Sequence, residues 1–240
     1  GNGPQVGFVL LRSELARDVI HQVPLANCVA DTQGSIGMQI AQSLQNEFLR
    51  QGIEQAVVAL VTQSVVDEPD PRFGAPSKPI GPFMTEEEAR LHEREDGWVV
   101  AEDARRGWRR LVASPAPLEI IELSAIRALL DNGTLVIAAG GGGVPVVYKP
   151  DGTLRPRPAV IDKDAASCLL ACELGASIFV ISTDVDKVAL NFATPRQVDI
   201  DRMNVAECRR YLEEGHFAPG SMRPKIESAL RFLEHGGKKV

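Results

Sequence analysis

The sequence predicts an α/β fold in which a mainly parallel sheet is covered by helices on both faces. Short runs of continuous apolar residues, typical of strands buried on both faces, alternate with segments of helical periodicity. The runs are AVVALVTQ (56–63), TLVIAAG (134–140) and SIFVISTD (177–184). A chain of 240 residues is long enough to form one large domain of this class or two smaller ones.

Helices are predicted between these runs. The first spans residues 4–22, where Pro4 suits the first helical position because its missing N–H costs nothing there. The second spans residues 31–51, with Asp31 or Thr32 as the candidate N-cap. Four further helices are predicted over 122–133, 163–176, 204–215 and 223–237.

Residues 66–114 differ in character from the rest of the chain. Prolines punctuate the first half of this segment, and a charged stretch and a polar hairpin, WVVAEDARRGWRRLV (98–112), follow. The segment interrupts an otherwise regular alternation of strands and helices, so we interpret it as an inserted subdomain. The core domain then consists of residues 1–65 and 115–240.

The overall composition excludes several classes of protein. Apolar residues make up 44% and charged residues 24% of the chain, as in an ordinary globular protein. The net charge of −6 gives no basic footprint for nucleic acid or for an anionic membrane. No apolar run approaches the roughly 20 residues needed to span a bilayer. We therefore expect neither a nucleic-acid partner nor a membrane-bound protein.

The four cysteines are predicted to be core thiols. Cys28, Cys168, Cys172 and Cys208 form no C-x-x-C pair and no metal-ligand pattern with histidine. Cys168 and Cys172 lie four residues apart on a predicted apolar helix, where a thiol behaves as a small hydrophobic group. Unpaired thiols make a reducing cytoplasm the simplest compartment.

A glycine-rich stretch, AAGGGGVP (138–145), follows the second predicted strand. Ligands bind at the carboxyl ends of strands in open parallel sheets, and glycines let backbone N–H groups approach an anion closely. Neither G-x-x-x-x-G-K-[ST] nor G-x-G-x-x-G is present. A tight turn without a ligand is the alternative, although four consecutive glycines exceed what a turn requires.

Three lysines lie in unusually constrained sequence contexts. Lys78 is flanked by prolines in SKPIGPF, Lys163 lies between Asp162 and Asp164, and Lys225 lies in APGSMRPK. Phosphoryl transfer depends on fixed positive charge around the moving group, which lysines supply as point charges. An isolated lysine is usually only a solvated surface residue. Asp162 is interpreted as the N-cap of the next helix, as a carboxylate that orients the lysines, or as both.

Eight motifs, in the same order along the chain, resemble those of the carbamate kinases, which belong to the amino acid kinase family. They are GNGPQVG (1–7), TQGSIG (32–37), KPIGPF (78–83), RGWR (106–109), GGGGVPVV (140–147), VIDKDAAS (160–167), TDVDKVALN (183–191) and GHFAPGSMRPKIE (215–227). The first, third and last of these are the most specific.

The resemblance implies both a fold and a reaction. The fold is a three-layer αβα sandwich with an open, mainly parallel sheet, in which residues 66–114 form a protruding lid, and the protein is a homodimer. The reaction is reversible phosphoryl transfer between ATP and carbamate, giving ADP and carbamoyl phosphate, with Mg²⁺ accompanying the nucleotide and no separate metal site in the protein. In arginine breakdown through the arginine deiminase pathway, the family forms ATP.

The resemblance also implies roles for individual residues. The catalytic group consists of Lys78, Lys163 and Lys225, with Asp162 as the organiser of the lysines. The substrate-binding group consists of Gly1, Asn2, Gly3, Gly140, Gly141 and Gly142. The nucleotide-binding group consists of Thr183, Asp184, Val185, Lys187, Val188, Asn191, Ala218, Pro219, Gly220, Ser221 and Met222. Lys187 departs from the pattern, because some relatives have an aromatic residue there.

One departure from the family leaves alternatives open. In the family, the chain begins with a strand that ends in a Gly-Gly-Asn-Ala turn around the phosphates, and a further strand follows the segment that corresponds to KKV (238–240). These 240 residues include neither strand. We expect either a fragment of a longer product or a truncated form, and little or no kinase activity if the truncation is natural. The alternatives are a biosynthetic enzyme that makes carbamoyl phosphate and a non-catalytic homologue acting as a binding or assembly partner.

Overall fold

The computed structural model describes residues 1–103 and 106–240, which form a mixture of helices and strands. The α-helices of this described part are α1 (Gly3–Leu15), α2 (Leu25–Arg50), α3 (Glu86–Glu95), α4 (Leu123–Asp131), α5 (Lys163–Glu173), α6 (Val205–Glu213) and α7 (Met222–Glu234). Its strands are β1 (Val57–Ala59), β2 (Gln63–Val66), β3 (Lys78–Met84), β4 (Val99–Glu102), β5 (Trp108–Val112), β6 (Pro117–Ile120), β7 (Leu135–Ile137), β8 (Val144–Tyr148), β9 (Leu154–Pro156), β10 (Val188–Leu190) and β11 (Val198–Ile200).

The strands pair in four small sheets. In the largest, with the order β6-β2-β8-β9, the central pair β2–β8 is parallel and the outer strands are antiparallel. Strands β1 and β7 form a second parallel pair. The sheets β3-β5-β4 and β10-β11 are antiparallel. This mixture of helices with parallel-containing sheets confirms the predicted α/β class.

The chain divides into two compact units, residues 1–166 and residues 167–240. In the first unit, α1 and α2 pack with β2, β3 and β8 around a core that includes Val6, Val29 and Val146. In the second unit, buried side chains of α6, α7 and the loop between them form a separate cluster, which consists of Cys208, Phe217 and Ile226. Each unit therefore has its own hydrophobic core.

Residues 78–112 contain a sheet of their own. The predicted hairpin is present as β4 and β5, and residues 104 and 105, which lie between these strands in sequence, are outside the described residues. Thr85 is the N-cap of helix α3 and forms a capping box with Glu88. The division into a core and an inserted lid at residues 66–114 remains a prediction.

The strands differ from the prediction in three places. The run 177–184 is not a strand, because its only ladder contact among the described residues is the bridge between Ile178 and Lys239, and Val180 is 81% exposed. The run 56–63 divides into β1 and β2, since β1 pairs with β7 and β2 with β8. Strand β7 ends early because Ala139, at φ 53°, already belongs to the next turn.

The first two helices also have different bounds. Helix α1 ends at Leu15, and the chain then folds back so that Val23 N donates to Ser13 Oγ at 2.6 Å. Helix α2 begins at Leu25, so the N-cap prediction for Asp31 and Thr32 is wrong and both residues lie inside the helix. The other four predicted helices are present as α4 to α7. In the part of the chain that the structure describes, no helix is long and apolar enough to cross a bilayer.

The cysteines are unpaired, and three of the four are buried, as core thiols should be. Burial raises the pKa of Cys28 to about 11 and that of Cys168 to about 12. Both thiols therefore stay protonated near neutral pH, and their role is packing. Cys172 is only partly buried.

Candidate functional site

In the first unit, predicted site residues from four separate segments lie in contact with one another. Lys78 opens β3, Asp162 and Lys163 lie at the start of α5, and Asn2 immediately precedes α1. The glycines 140–142 form the turn between β7 and β8. Residues up to 161 positions apart in sequence, Asn2 and Lys163, therefore meet at one place.

The closest contact in this cluster joins Lys78 to Asp162. Lys78 Nζ lies 2.6 Å from Asp162 Oδ2, and both side chains are about three-quarters buried. The other carboxylate oxygen, Oδ1, accepts hydrogen bonds from the backbone N–H groups of Asp164 at 2.9 Å and Ala165 at 3.2 Å. One oxygen caps α5 and the other holds the lysine, so the two interpretations of Asp162 are compatible.

The environment of Asp162 favours its charged form. Burial acts to raise the pKa of Asp162, but the charge and hydrogen bond of Lys78, the Ala165 N–H and the charge of Lys163 act in the opposite direction. The net result is a pKa below the ordinary value for an aspartate. Asp162 is therefore a carboxylate at neutral pH and cannot act as a general acid there.

Lys163 extends along the first residue of the chain. A Cβ atom added to Gly1 would lie 2.9 Å from Lys163 Cδ, so the aliphatic part of the lysine packs on this glycine. Its ammonium group lies 3.2 Å from Asp164 Oδ2. The side chain of Lys163 is 39% exposed, which leaves its charge accessible to an anionic ligand.

The glycine turn approaches its neighbours too closely for any side chain. Gly141 and Gly142 have φ values of 64° and 105°, a region that favours glycine. A Cβ on Gly141 would lie 1.8 Å from Asn2 Oδ1, and one on Gly142 would lie 2.7 Å from the carbonyl oxygen of Ile161. The turn is thus in direct contact with the Asn2 segment and with the residue before Asp162.

The second unit holds the remaining predicted residues. Thr183, Asp184 and Val185 precede β10, and Val188 lies in β10. Asn191 follows β10 with φ 51°. Ala218, Pro219 and Gly220 lead to Ser221, the residue before α7, and Met222 is the first residue of that helix.

Two of these stretches pack against one hydrophobic cluster within the second unit. Val188 and Met222 pack against the same cluster, formed by Cys208, Phe217 and Ile226. Lys187 Nζ is paired with Asp201 Oδ1 at 2.6 Å on the surface, and this hydrogen bond and charge raise the lysine pKa. Lys225 lies in the first turn of α7, where the helix dipole favours anions.

Comparison with known proteins identifies the family of the chain. The model of the amino acid kinase family matches residues 1–240, the whole chain. The chain belongs to the amino acid kinase family. The predicted family is therefore confirmed.

Among relatives in this family, the carbamate kinase-like protein YahI of Escherichia coli is 51% identical over all of this chain and 77% of its own length. The carbamate kinase of Pyrococcus furiosus is 47% identical, with the same coverage. The solved carbamate kinase of Giardia lamblia bound to citric acid matches 100% of this chain and 76% of its own, with a TM-score of 0.94 and 40% identity. The same enzyme bound to AMP-PNP matches 99% of this chain and 75% of its own, with a TM-score of 0.87 and 40% identity. These structures confirm the amino acid kinase fold.

Sequence reasoning missed the buried polar residues that hold the site. Thr32, Gln33, Thr62 and Ser64 are at most 6% exposed. Ser64 Oγ donates to the carbonyl oxygen of Gly142 at 2.7 Å. Thr62 and Ser64 were visible as polar residues that interrupt an apolar run, which is an unusual position unless they have hydrogen-bond partners.

Proposed function

We propose that this protein is a carbamate kinase, which transfers a phosphoryl group reversibly between ATP and carbamate. The observation that carries the proposal is the cluster of Lys78, Asp162 and Lys163 beside the glycine turn, in a chain whose full length is similar to carbamate kinases. In the ATP-forming direction, a terminal oxygen of ADP attacks the phosphorus of carbamoyl phosphate, and carbamate leaves.

The residues of the first unit suit the carbamoyl phosphate side of this reaction. Lys78 and Lys163 supply positive charge where charge builds up on the transferring group, and Asp162 keeps Lys78 in place. The turn at Gly140, Gly141 and Gly142 and the Gly1–Gly3 segment allow backbone groups to approach the phosphate. Residues 66–114 would act as a lid that excludes water during transfer.

The residues of the second unit suit the nucleotide. We assign the stretches 183–191 and 218–222 to ADP or ATP, with Lys225 directed to the phosphates. The relative solved with AMP-PNP supports a nucleotide ligand in this family. The shared packing of Val188 and Met222 supports the assignment of both stretches to one site.

Mg²⁺ is proposed to enter with the nucleotide. Magnesium usually keeps several waters and binds through substrate phosphates with one or two carboxylates. Within residues 1–103 and 106–240, no group of three or more His, Cys, Asp and Glu side chains is placed to hold a metal ion. The described side chains therefore offer no dedicated cage, and no catalytic step here depends on one.

The cellular setting follows from the proposed reaction. We place the enzyme in the cytoplasm, where its unpaired cysteines stay reduced, and in carbamoyl phosphate breakdown in the arginine deiminase pathway, in the ATP-forming direction. A homodimer is proposed as well, supported by exposed apolar side chains such as Leu15 and Val19, at 78% and 85% exposure. The comparisons lend no support to a non-catalytic binding partner.

The test is the formation of ATP from ADP, Mg²⁺ and carbamoyl phosphate. It uses this chain and a form extended at its N-terminus, with a luciferase readout and a control without protein. We expect ATP in at least one form at a rate far above the control. Background ATP in both forms would contradict the kinase assignment, whereas activity in the extended form alone would show that further residues are needed.

A further inference from the structure

The first two residues of the TQGSIG motif (32–37) hold two parts of the site. Both lie inside α2 and are almost completely buried, with Thr32 at 3% and Gln33 at 6% exposure. Thr32 contacts Asn2, and Gln33 contacts Thr62, the residue that in turn holds the glycine turn. One turn of α2 thus connects the two sides of the proposed substrate pocket.

The hydrogen bonds of Gln33 hold the residue at which the glycine turn begins. Gln33 Oε1 accepts from the backbone N–H of Thr62 at 3.0 Å, and Gln33 Nε2 donates to the Thr62 carbonyl at 3.1 Å. Thr62 Oγ1 then accepts from the N–H of Ala139, the residue before the first glycine, at 2.6 Å. Because the backbone donor is unambiguous, the orientation of the Gln33 amide is also unambiguous.

The hydrogen bonds of Thr32 fix the orientation of Asn2. A threonine hydroxyl has one proton, and that of Thr32 is donated to the carbonyl oxygen of Val29 at 2.8 Å. Towards Asn2, the hydroxyl therefore acts only as an acceptor, and it receives Asn2 Nδ2 at 2.7 Å. The other atom of the amide, Oδ1, must then face away from Thr32.

Asn2 Oδ1 is left as a buried acceptor beside the glycine turn. Among the described residues it has no hydrogen-bond partner, and Asn2 as a whole is only 4% exposed. The atom lies directly against Gly141. Buried polar groups are nearly always paired, and an unpaired one at a proposed binding site points to a ligand that supplies the missing donor.

We propose that Thr32 is a positioning residue that sets substrate specificity, by presenting Asn2 Oδ1 as the acceptor for the amine of the carbamoyl group. This inference rests on the proposed carbamate kinase function. In carbamoyl phosphate the amine is the only strong donor, since the carbonyl and phosphate oxygens accept. The side-chain hydrogen bonds hold the turn at Ala139 and Gly142, so the amine has to displace only Gly141 from Oδ1, and a glycine changes its backbone angles more readily than other residues.

The test compares two phosphoryl donors of nearly equal shape. Acetyl phosphate has a methyl group where carbamoyl phosphate has the amine, and both convert ADP to ATP by the same transfer. A site built around the amine should prefer carbamoyl phosphate by about 10³-fold or more in kcat/KM. In Thr32→Val, the preference should fall by about 10-fold or more, because Asn2 is no longer held in one orientation.

Three further variants make the result specific. Thr32→Ser keeps the hydroxyl and should restore most of the preference. Ser43→Ala removes an exposed hydroxyl that donates to the Gln39 carbonyl in the same helix, and it should leave the preference unchanged. Asn2→Leu removes Oδ1 itself and should lower the preference for carbamoyl phosphate. Because Asn2 lies outside α2, this variant tests the site even if Thr32→Val does not fold.

The possible outcomes separate the two proposals. If the unchanged protein forms no ATP from carbamoyl phosphate, the proposed function fails. If it forms ATP but a folded Thr32→Val keeps the full preference for carbamoyl phosphate, the function stands and the role of Thr32 is wrong. If Asn2→Leu keeps the full preference, Asn2 Oδ1 is not the acceptor for the amine and the proposal fails as well. A loss of preference in Thr32→Ser equal to that in Thr32→Val would also overturn the role of the hydroxyl.

Discussion

Among single residues, the central feature is Lys78, which is held by a carboxylate that also caps a helix. The constrained contexts of Lys78 and Asp162 were visible in the sequence, because prolines and a helix start fix their backbone. Their contact was not, since the two residues are 84 positions apart and only the fold brings them within 2.6 Å. The contacts of Asn2 with Thr32 and Gly141 could not be predicted either, because the fold brings these distant residues together.

Replacing Lys78 by alanine should lower kcat by roughly 10²-fold or more, because a preorganised charge at the transferring group is lost. Steady-state ATP formation from carbamoyl phosphate measures the effect. Lys149→Ala is the matched control, since Lys149 is 43% exposed and pairs with Asp151 in a surface turn. Equal activity of the two variants would remove Lys78 from the mechanism.

Asp162→Asn should destabilise the protein by about 1–3 kcal/mol at pH 7, and the difference should shrink in acid. Asparagine can still cap α5, so the variant mainly removes the ion pair with Lys78. The pKa of Asp162 is lowered in the folded state, so its stabilisation is complete above the unfolded pKa of about 3.9 and is lost as the pH falls through the folded value. Urea unfolding of both proteins between pH 7 and pH 3 measures this, and a pH-independent difference would contradict it.

At the scale of elements, the joint between α1 and β3 is the tightest backbone contact near the site. A Cβ on Gly7 would lie 2.0 Å from Gly81 N, so helix and strand meet without side chains between them. Helix α1 follows Asn2 and strand β3 begins with Lys78, so this joint fixes the separation of two site residues.

Gly7→Ala should therefore separate α1 from β3 and destabilise the protein by about 2 kcal/mol or more. Gly34→Ala is the control, because a Cβ there meets nothing within 4 Å and alanine is favoured inside a helix. Thermal unfolding should show a clear loss for the first variant and no loss, or a small gain, for the second. A neutral Gly7→Ala would mean that the joint can open without cost.

Elements were predictable where local chemistry decides them. The glycine turn was predicted because it follows a short apolar strand. Helix α3 was not predicted, although its capping box of Thr85 and Glu88 is a local sequence signal. The strand expected at 177–184 failed because pairing, which sequence periodicity does not report, is limited there to one bridge with Lys239. The start of α2 was missed because the helix extends from Asp31 back to Leu25. This extension depends on the packing of Cys28 and Val29 in the core.

At the scale of the whole molecule, the two units carry different proposed ligands. Residues 1–166 contain the predicted carbamoyl phosphate contacts, and residues 167–240 contain the nucleotide stretches and Lys225. The family and its reaction were predictable because specific motifs run along the whole chain. The boundary between the units was not, because it falls inside α5, where the sequence gives no break.

Hydrogen exchange with and without ADP and Mg²⁺ should distinguish the units. We expect slower exchange of backbone amides at 183–191 and 218–222 when ADP is bound, because bound ligand stabilises the segments it contacts. The surface turn at 149–153 serves as the internal control and should not change. Protection confined to residues 1–166 would contradict the nucleotide assignment.

Transfer of the phosphoryl group from carbamoyl phosphate to ADP can be followed on the phosphorus itself, by ³¹P NMR. Carbamoyl phosphate, ADP and Mg²⁺ are mixed with the active form of the protein or with its Lys78→Ala variant. The account predicts that the carbamoyl phosphate signal is replaced by the signals of ATP, with little inorganic phosphate, and that the variant is slower by roughly 10²-fold. The account would be contradicted if the phosphorus appeared only as inorganic phosphate, or if the variant matched the unchanged protein.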